Sequence, residues 1–476
     1  MLSYFPKYFA RKSLTCYLLS LAVVTVLFFK QAMPVYLYVF GIVSVIAFFY
    51  GTSTVTRQWA RYSPRVYEKK VLSLALTLRL VYVLFIYCWN YHLYGTFCES
   101  NLADIDWYIY AGQELAHYIR IGDWSVFSVY IEKLGVAFDD MGYITYLSFL
   151  YMLTGGVSSV VIPLILKAVM GAYTCVFAYR IATRHFGYDV GRLTGVFCAL
   201  QFNMIWWCGS MMKETEMVFF AMAFFNILDG MVEEGKVNAK RVVSACFIGI
   251  FLFSFRMVLG AVCIASMMLA IVFASKRKIG SSTKVLTVLM VAVLLGLSMG
   301  SLLKESMTEM AERALSDSQS VNMEWRAERE GGNSFAKYAG AAVFAPMIFT
   351  LPFPTMVYTQ PDQEMIMQVN GGNYVKNILS FFVILSVITL LLHGEWKKHL
   401  MPLAFTCGYL LSLVVSEFAQ SGRFHMPIMP FEMMFAAYGL QLMNRRNIRW
   451  FDWALWAEFA ICVGWSWFKL AGRGLA

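Results

Sequence analysis

Charge is scarce in this sequence. Only 14% of its 476 residues are Asp, Glu, Lys or Arg, against roughly a quarter in soluble globular chains, which is too few to clothe an ordinary solvated surface. Histidine is sparse as well. The six (His92, His117, His185, His393, His399, His425) show no HxxxH or similar spacing, which argues against a dedicated zinc site. The 10 cysteines include no CxxC pair, and most lie inside apolar runs (Cys16, Cys175, Cys198, Cys246, Cys263, Cys407, Cys462). There they read as small packing residues, not as redox or metal groups. A cleavage site is missing too. Lys7, Arg11 and Lys12 precede an apolar stretch over residues 14–29, but no small-residue motif follows, and residues 30–34 lead straight into another apolar run. The stretch reads as a retained first helix and not as a secretory leader.

What the chain has in abundance is apolar side chains, 59% of the total, and they come in blocks. Residues 14–29, 35–50, 71–89 and 285–302 are nearly uninterrupted apolar runs close to the ~20 residues that cross a bilayer as a helix. Helices satisfy their own backbone groups inside lipid, so the blocks predict an all-α, polytopic membrane bundle. The formal charge of +10 sits in short loops between these blocks, which is the positive-inside pattern and not a nucleic-acid-binding surface.

Loop charge then orients the chain. Residues 51–70 carry Arg57, Arg61, Arg65, Lys69 and Lys70 against Glu68, which predicts a cytoplasmic loop. The next span therefore exits. It delivers an acidic outer loop over 93–142, with Glu99, Asp104, Asp106, Glu114, Asp123, Glu132, Asp139 and Asp140 against Arg120 and Lys133. Residues 143–153 are apolar but short. Placing them, with the segment 105–119, flat on the membrane keeps the later basic stretches 180–192 and 236–241 cytoplasmic. The 33 residues 242–274 are flanked by basic loops, so they predict a hairpin of two short crossings with Arg256 at its outer turn. A second outer loop covers 303–376, within which the Pro-broken run 341–359 lies at the surface or re-enters. The whole comes to about 13 spans, divided into an N-terminal hairpin (1–50) and a main bundle (51–476). Lys167 and Asp229 read as snorkelling residues, and Arg79 as paired inside the bundle.

This topology gathers the unusual polar residues on one face. Asp104 and Asp106 lie in ADIDWYIYAG; Lys213, Glu214 and Glu216 in IWWCGSMMKETEM; Arg256 at the hairpin turn; Glu417, Arg423 and His425 in SEFAQSGRFHMPIMP. Ionisable residues at membrane depth are costly and mark sites or pathways. Basic groups such as Lys213, Arg256 and Arg423 suit a phosphate leaving group. A carboxylate such as Asp104 or Asp106 suits general-base work on an acceptor hydroxyl. Asp104-Ile-Asp106 also matches the DxD pattern of nucleotide-sugar enzymes, but its outer placement separates it from nucleotide donors. The aromatics Trp107, Tyr108, Tyr110, Trp124 and Tyr130 read first as an interfacial belt, with stacking against sugar rings as the sharper alternative.

Taken with the flat helices of the first outer loop and the late Arg-x-x-x-Pro-x-x-Pro element, RFHMPIMP, these motifs resemble the membrane-embedded GT-C glycosyltransferases. The likeness is to bacterial members near the protein mannosyltransferase and lipid A aminoarabinose transferase group. DDMGYITYLSFLYMLTG, MKETEM, PFPTMVYT and GGNYVKN are similar to transferases found with surface-polysaccharide genes. The resemblance covers roughly residues 71–443. It implies a GT-C fold in the bacterial inner membrane, with the active site facing the periplasm. It also implies an inverting transfer of sugar from a polyprenyl-phosphate carrier to a glycan or glycolipid acceptor. Catalysis falls to Asp104 or Asp106, and substrate or phosphate contacts to Lys213, Glu214, Arg256, Arg423 and His425. No cofactor is required, and a divalent cation on the carboxylates stays compatible with the scheme. Many members carry a soluble outer C-terminal domain, whereas this sequence stops after a span. A polysaccharide polymerase or ligase using a polyprenyl-diphosphate glycan, and a lipid-linked oligosaccharide transporter, are the alternatives. The transporter is disfavoured by a single Pro-rich break without a matching partner.

Overall fold

A computed structural model describes residues 4–97, 103–126, 138–156, 158–235, 238–273, 334, 345–359, 364–416, 418 and 420–475. Among them 84% are helical and no strand occurs. Among the described residues seven helices are long and apolar enough to cross a membrane, so the chain is a helical membrane protein. The expected 13 spans are not matched one for one. The 285–302 run lies outside the described residues, as do most of the 303–376 loop and Glu417, while several other expected spans form shorter helices.

The helices in chain order are α1 (Lys7–Leu27), α2 (Val35–Gln58), α3 (Pro64–Tyr94), α4 (Ala103–Arg120), α5 (Phe138–Leu153), α6 (Val161–Phe186), α7 (Tyr188–Leu200), α8 (Glu214–Glu234), α9 (Ala239–Phe255), α10 (Met257–Phe273), α11 (Asn370–Leu392), α12 (Leu400–Val415), α13 (Met429–Gln441) and α14 (Arg445–Ala471). Their boundaries follow local chemistry. Pro64 and Pro430 sit in the first turns of α3 and α13, where no intrahelical N–H is needed. Asn238 and Asn444 cap α9 and α14 by accepting from backbone N–H groups.

The centre is built from α6, α7, α8, α11 and α13, which pack on one another. Nearly every residue of α7 and α13 is buried, as expected of helices apolar all round. A Cβ at Gly439 would fall 1.9 Å from the Phe382 carbonyl oxygen, so glycine there is what lets α13 lie against α11. Outside this centre the bundle exposes apolar and aromatic side chains (Val26, Val35, Leu84, Leu392, Trp453) in the manner of a lipid-facing wall.

Helix α7 stops inside the bundle after only 13 residues. Its last carbonyls would be orphaned in an apolar medium. Arg79 of α3, completely buried, donates to the carbonyls of Cys198 (3.2 Å) and Ala199 (3.5 Å) and to that of Ala75. The expectation that Arg79 pairs inside the bundle thus holds in an unexpected form, with carbonyls at a helix C-terminus as its partners. After α7 the chain runs through short turns before α8 begins. That irregular stretch is sealed by Gln201 on the Gly372 carbonyl (3.0 Å), Asn203 on Asn373 (2.7 Å) and Trp206 on Gln368 (3.0 Å).

Two expectations need correction. Lys167 and Asp229 do not snorkel. Lys167 is fully buried and pairs with Glu216 at 2.6 Å, and Asp229 is buried against Arg184 (2.7 Å) and His185 (3.1 Å). A partner supplied by a neighbouring helix makes reaching for water unnecessary. The 242–274 segment is a helical hairpin as expected, broken at Arg256, whose backbone is extended (φ −164°, ψ 110°). Helix α5, at 16 residues, is roughly 24 Å long and short of a bilayer core. The Pro-broken segment is a short 3-10 helix over Ala345–Thr350 followed by irregular chain over 351–359. Its buried Leu351 and Phe353 pack near Ile461 and Trp465 of α14. Irregular backbone at this depth is tolerated because protein surrounds it; Thr355 and Asn370 exchange two hydrogen bonds, and Tyr358 N–H donates to the Gln31 carbonyl.

The bundle ends differ in charge. Arg192 donates to the Trp59 and Tyr62 carbonyls, Arg180 pairs with Glu68, and the His185 ring lies 5.7 Å from that of His399. These contacts bring the basic 57–70 loop to the same end as the C-terminus of α6 and the N-termini of α7 and α12. The polar cluster described next occupies the opposite end.

Candidate functional site

Four separate parts of the chain meet at that opposite end. Helix α4 carries Asp104 and helix α5 carries Asp140 in their first turns, Lys213 and Glu214 stand at the N-terminus of α8, and the loop between α12 and α13 carries Arg423. Arg423 is the hub. Its Nη1 donates to Asp104 Oδ2 at 2.6 Å, and its Nε donates to Glu214 Oε1. Lys213 Nζ donates to Asp140 Oδ1 at 2.6 Å, and the Tyr108 hydroxyl donates to the same oxygen at 2.6 Å. Arg256, at the hairpin break, lies over the Phe424 ring, 4.2 Å from its centroid, and beside the Tyr409 hydroxyl.

The local sequence explains these directions. Residues two apart on a helix lie ~200° apart around its axis. Asp104 and Asp106 therefore point to opposite sides of α4: Asp104 meets Arg423, while Asp106 is exposed. The same spacing splits Glu214 from Glu216. Glu214 meets Arg423, and Glu216 drops to the buried Lys167, so the expected grouping of both with the outer cluster is corrected. His425 is completely buried and its Nδ1 lies 3.5 Å from Lys376 Nζ, in the layer beneath Arg423. The structure thus unites Asp104, Lys213, Glu214, Arg256 and Arg423, and adds Asp140 and Tyr108. Neither addition stood out in the sequence. Asp140 was one acid among eight in its loop and Tyr108 one aromatic among five; only the packing of α4 on α5 pairs them.

Electrostatics fixes the protonation of three members, Asp140, Tyr108 and Arg423. Burial raises the Asp140 carboxyl's pKa, but the charge of Lys213, hydrogen bonds from Lys213 and Tyr108 and the field of Arg256 outweigh it and hold the group below the usual carboxylate range. Burial and then Asp140 push the Tyr108 phenol up, so it stays protonated as a donor. Burial opposes the charge of Arg423, yet Glu214 and Asp104 hold it protonated more firmly than usual. The group with a depressed pKa contributes stability that is complete above about pH 4, the unfolded aspartate value, and is lost as pH falls through the folded value. The unfolding midpoints of wild type and Asp140→Asn should therefore differ by a constant amount from neutral pH down to about pH 5, and converge only in more acid solution. Convergence already at pH 6 would show that Asp140 is not held ionised by Lys213.

Glu214 is 0% exposed, and among the described residues its Oε1 meets Arg423 while its buried Oε2 has no hydrogen-bond partner. A buried carboxylate oxygen without a donor is costly, which marks a place where an incoming hydroxyl or N–H is welcome. Among the described residues no group of three or more His, Cys, Asp or Glu is placed to hold a metal ion; each carboxylate here faces a cation instead. Chemically, the cluster offers three cations for an anionic group and one half-exposed carboxylate, Asp104, at its rim.

Comparison of the chain with protein-family models, curated proteins and solved structures finds no match.

Proposed function

We propose that this protein is an inverting glycosyltransferase of GT-C type, moving a sugar from a polyprenyl-phosphate carrier to a glycan or glycolipid acceptor. The reading places it in a bacterial inner membrane with the site on the periplasmic side. The observation that carries it is the convergence of Arg423, Lys213 and Arg256 with Asp104 and Glu214 at one end of the bundle. The basic loops lie at the other end, which the positive-inside rule assigns to the cytosol.

In the proposed step the acceptor hydroxyl attacks the anomeric carbon and the bond from that carbon to the phosphate oxygen breaks. The electron pair leaves with the polyprenyl phosphate, and the hydroxyl proton passes to Asp104. The donor is a diester with one negative charge, and the departing monoester carries more. Cations that gain most as charge develops lower the barrier. Arg256, which forms no ion pair among the described residues, and Arg423, which shares its charge between two carboxylates, suit that role. Phosphate competing for Arg423 would also release Asp104 to act as base. Glu214 Oε2, without a hydrogen-bond partner among the described residues, can accept a sugar hydroxyl. No metal is needed for this route.

The test is reconstitution. Proteoliposomes containing the full chain, given labelled polyprenyl-phosphate sugars and a cell-envelope lipid extract as acceptor, should release polyprenyl phosphate in proportion to sugar transferred. Movement of intact lipid-linked sugar across the bilayer without release would replace the enzyme with a transporter.

A further inference from the structure

Beneath Arg423 lies a second ionic cluster that the transfer step does not use. Lys376, on α11 within the GGNYVKN stretch, is 1% exposed. Its ammonium donates to the Leu351 carbonyl, lies 3.1 Å from Glu432 Oε1 on α13 and 3.5 Å from His425 Nδ1. Glu432 and His425 are themselves buried. One charge thus ties the irregular 351–359 strap, the loop carrying Arg423 and the first turn of α13. The other flank of Arg423 is held as well: a Cβ on Gly422 would stand 3.3 Å from Pro352 and 3.8 Å from Asn373 Oδ1, so the loop rests on the strap and on α11.

A buried ion pair is weak evidence for stability, since its desolvation offsets its attraction, and an apolar pair of similar size often serves as well. What apolar residues cannot do is hold a carbonyl of one element and an imidazole of another at fixed distance. We propose that Lys376 is a positioning residue for Arg423, fixing the height of its loop against α11 so that the guanidinium reaches both Asp104 and the leaving phosphate. This rests on the reading of Arg423 as a phosphate clamp, and the geometry explains why a lysine and a glutamate sit at a depth where neither meets water.

The experiment uses full-length protein with the exposed Cys88 and Cys407, and Cys98 just before Asp104 in sequence, replaced by serine. Cysteines introduced as Asp104→Cys and Arg423→Cys report loop position through a short bis-maleimide cross-linker. Turnover is followed separately, in protein without those two introduced cysteines. Two variants are compared with the parent: Lys376→Met/Glu432→Leu, which removes both charges, and His425→Leu, which unties the loop while leaving the ion pair. Both are expected to keep the parental unfolding midpoint and lose most of the cross-link. Their kcat should fall about 10²-fold, the effect of a misplacement near 1 Å at a reacting centre, with a smaller change in KM. If both variants cross-link and turn over like the parent, Lys376 has only a packing role and the proposal is overturned. Binding of polyprenyl monophosphate to wild type and to Arg423→Ala separates the two levels. Equal binding would sink the phosphate-clamp reading, while the cross-link still decides whether Lys376 positions the loop.

Discussion

Asp104→Asn is expected to lower kcat for sugar transfer by about 10²–10⁴-fold, the usual worth of a general base, with the fold intact. Three features single out Asp104. It is the site carboxylate with the most exposed side chain, at 55%, so an acceptor can reach it. It meets Arg423 through one oxygen, leaving the other for a hydroxyl proton. It sits at the start of an amphipathic helix whose opposite side carries Asp106. Asp140, by contrast, is held ionised by Lys213 and Tyr108 and is the poorer proton acceptor for it. Asp106→Asn should therefore transfer at close to the wild-type rate. An inactive Asp106→Asn beside an active Asp104→Asn would transfer the role to the exposed face of α4 and dissolve the cluster as a catalytic unit.

The largest effect on stability is expected at Lys167. Lys167 and Glu216 are both fully buried, 2.6 Å apart, and Lys167 also donates to the Met212 carbonyl and lies 5.2 Å from the centre of the Tyr143 ring. Lys167→Met leaves Glu216 as an uncompensated buried charge, which costs about 3–5 kcal/mol in comparable cases. The double variant Lys167→Met/Glu216→Leu should recover most of that, because no orphaned charge remains. Its catalytic defect should persist: the Met212 carbonyl immediately precedes Lys213 and Glu214, and the Tyr143 hydroxyl donates to the Met211 carbonyl next door at 2.7 Å. Unfolding midpoints in one detergent measure the first effect and turnover the second. A single variant as stable as wild type would mean that removing Lys167 leaves no uncompensated charge on Glu216, and the predicted cost would be overturned.

The resemblance drawn from short motifs remains a proposal, because the residues that carry it are polar groups in loops, which many membrane proteins place at a bundle end. Residues 104, 214 and 423 are joined by one guanidinium across 319 and 209 positions of chain, so they share a face whatever its orientation in the bilayer.

By itself the sequence determined what depends on neighbours along the chain. Apolar runs specified helices, loop charge sorted the helix ends, and a basic residue within a 33-residue apolar stretch marked the break at Arg256. Tertiary structure alone decided what depends on neighbours across the bundle. It paired Asp104 with Arg423, sent Glu216 inward to Lys167, turned Arg79 into a cap for α7 and brought Asp140 to Lys213. The reason is that hydropathy and helix period act within a few residues, whereas the partner of a buried charge is set by which helices pack, and no local pattern encodes that choice.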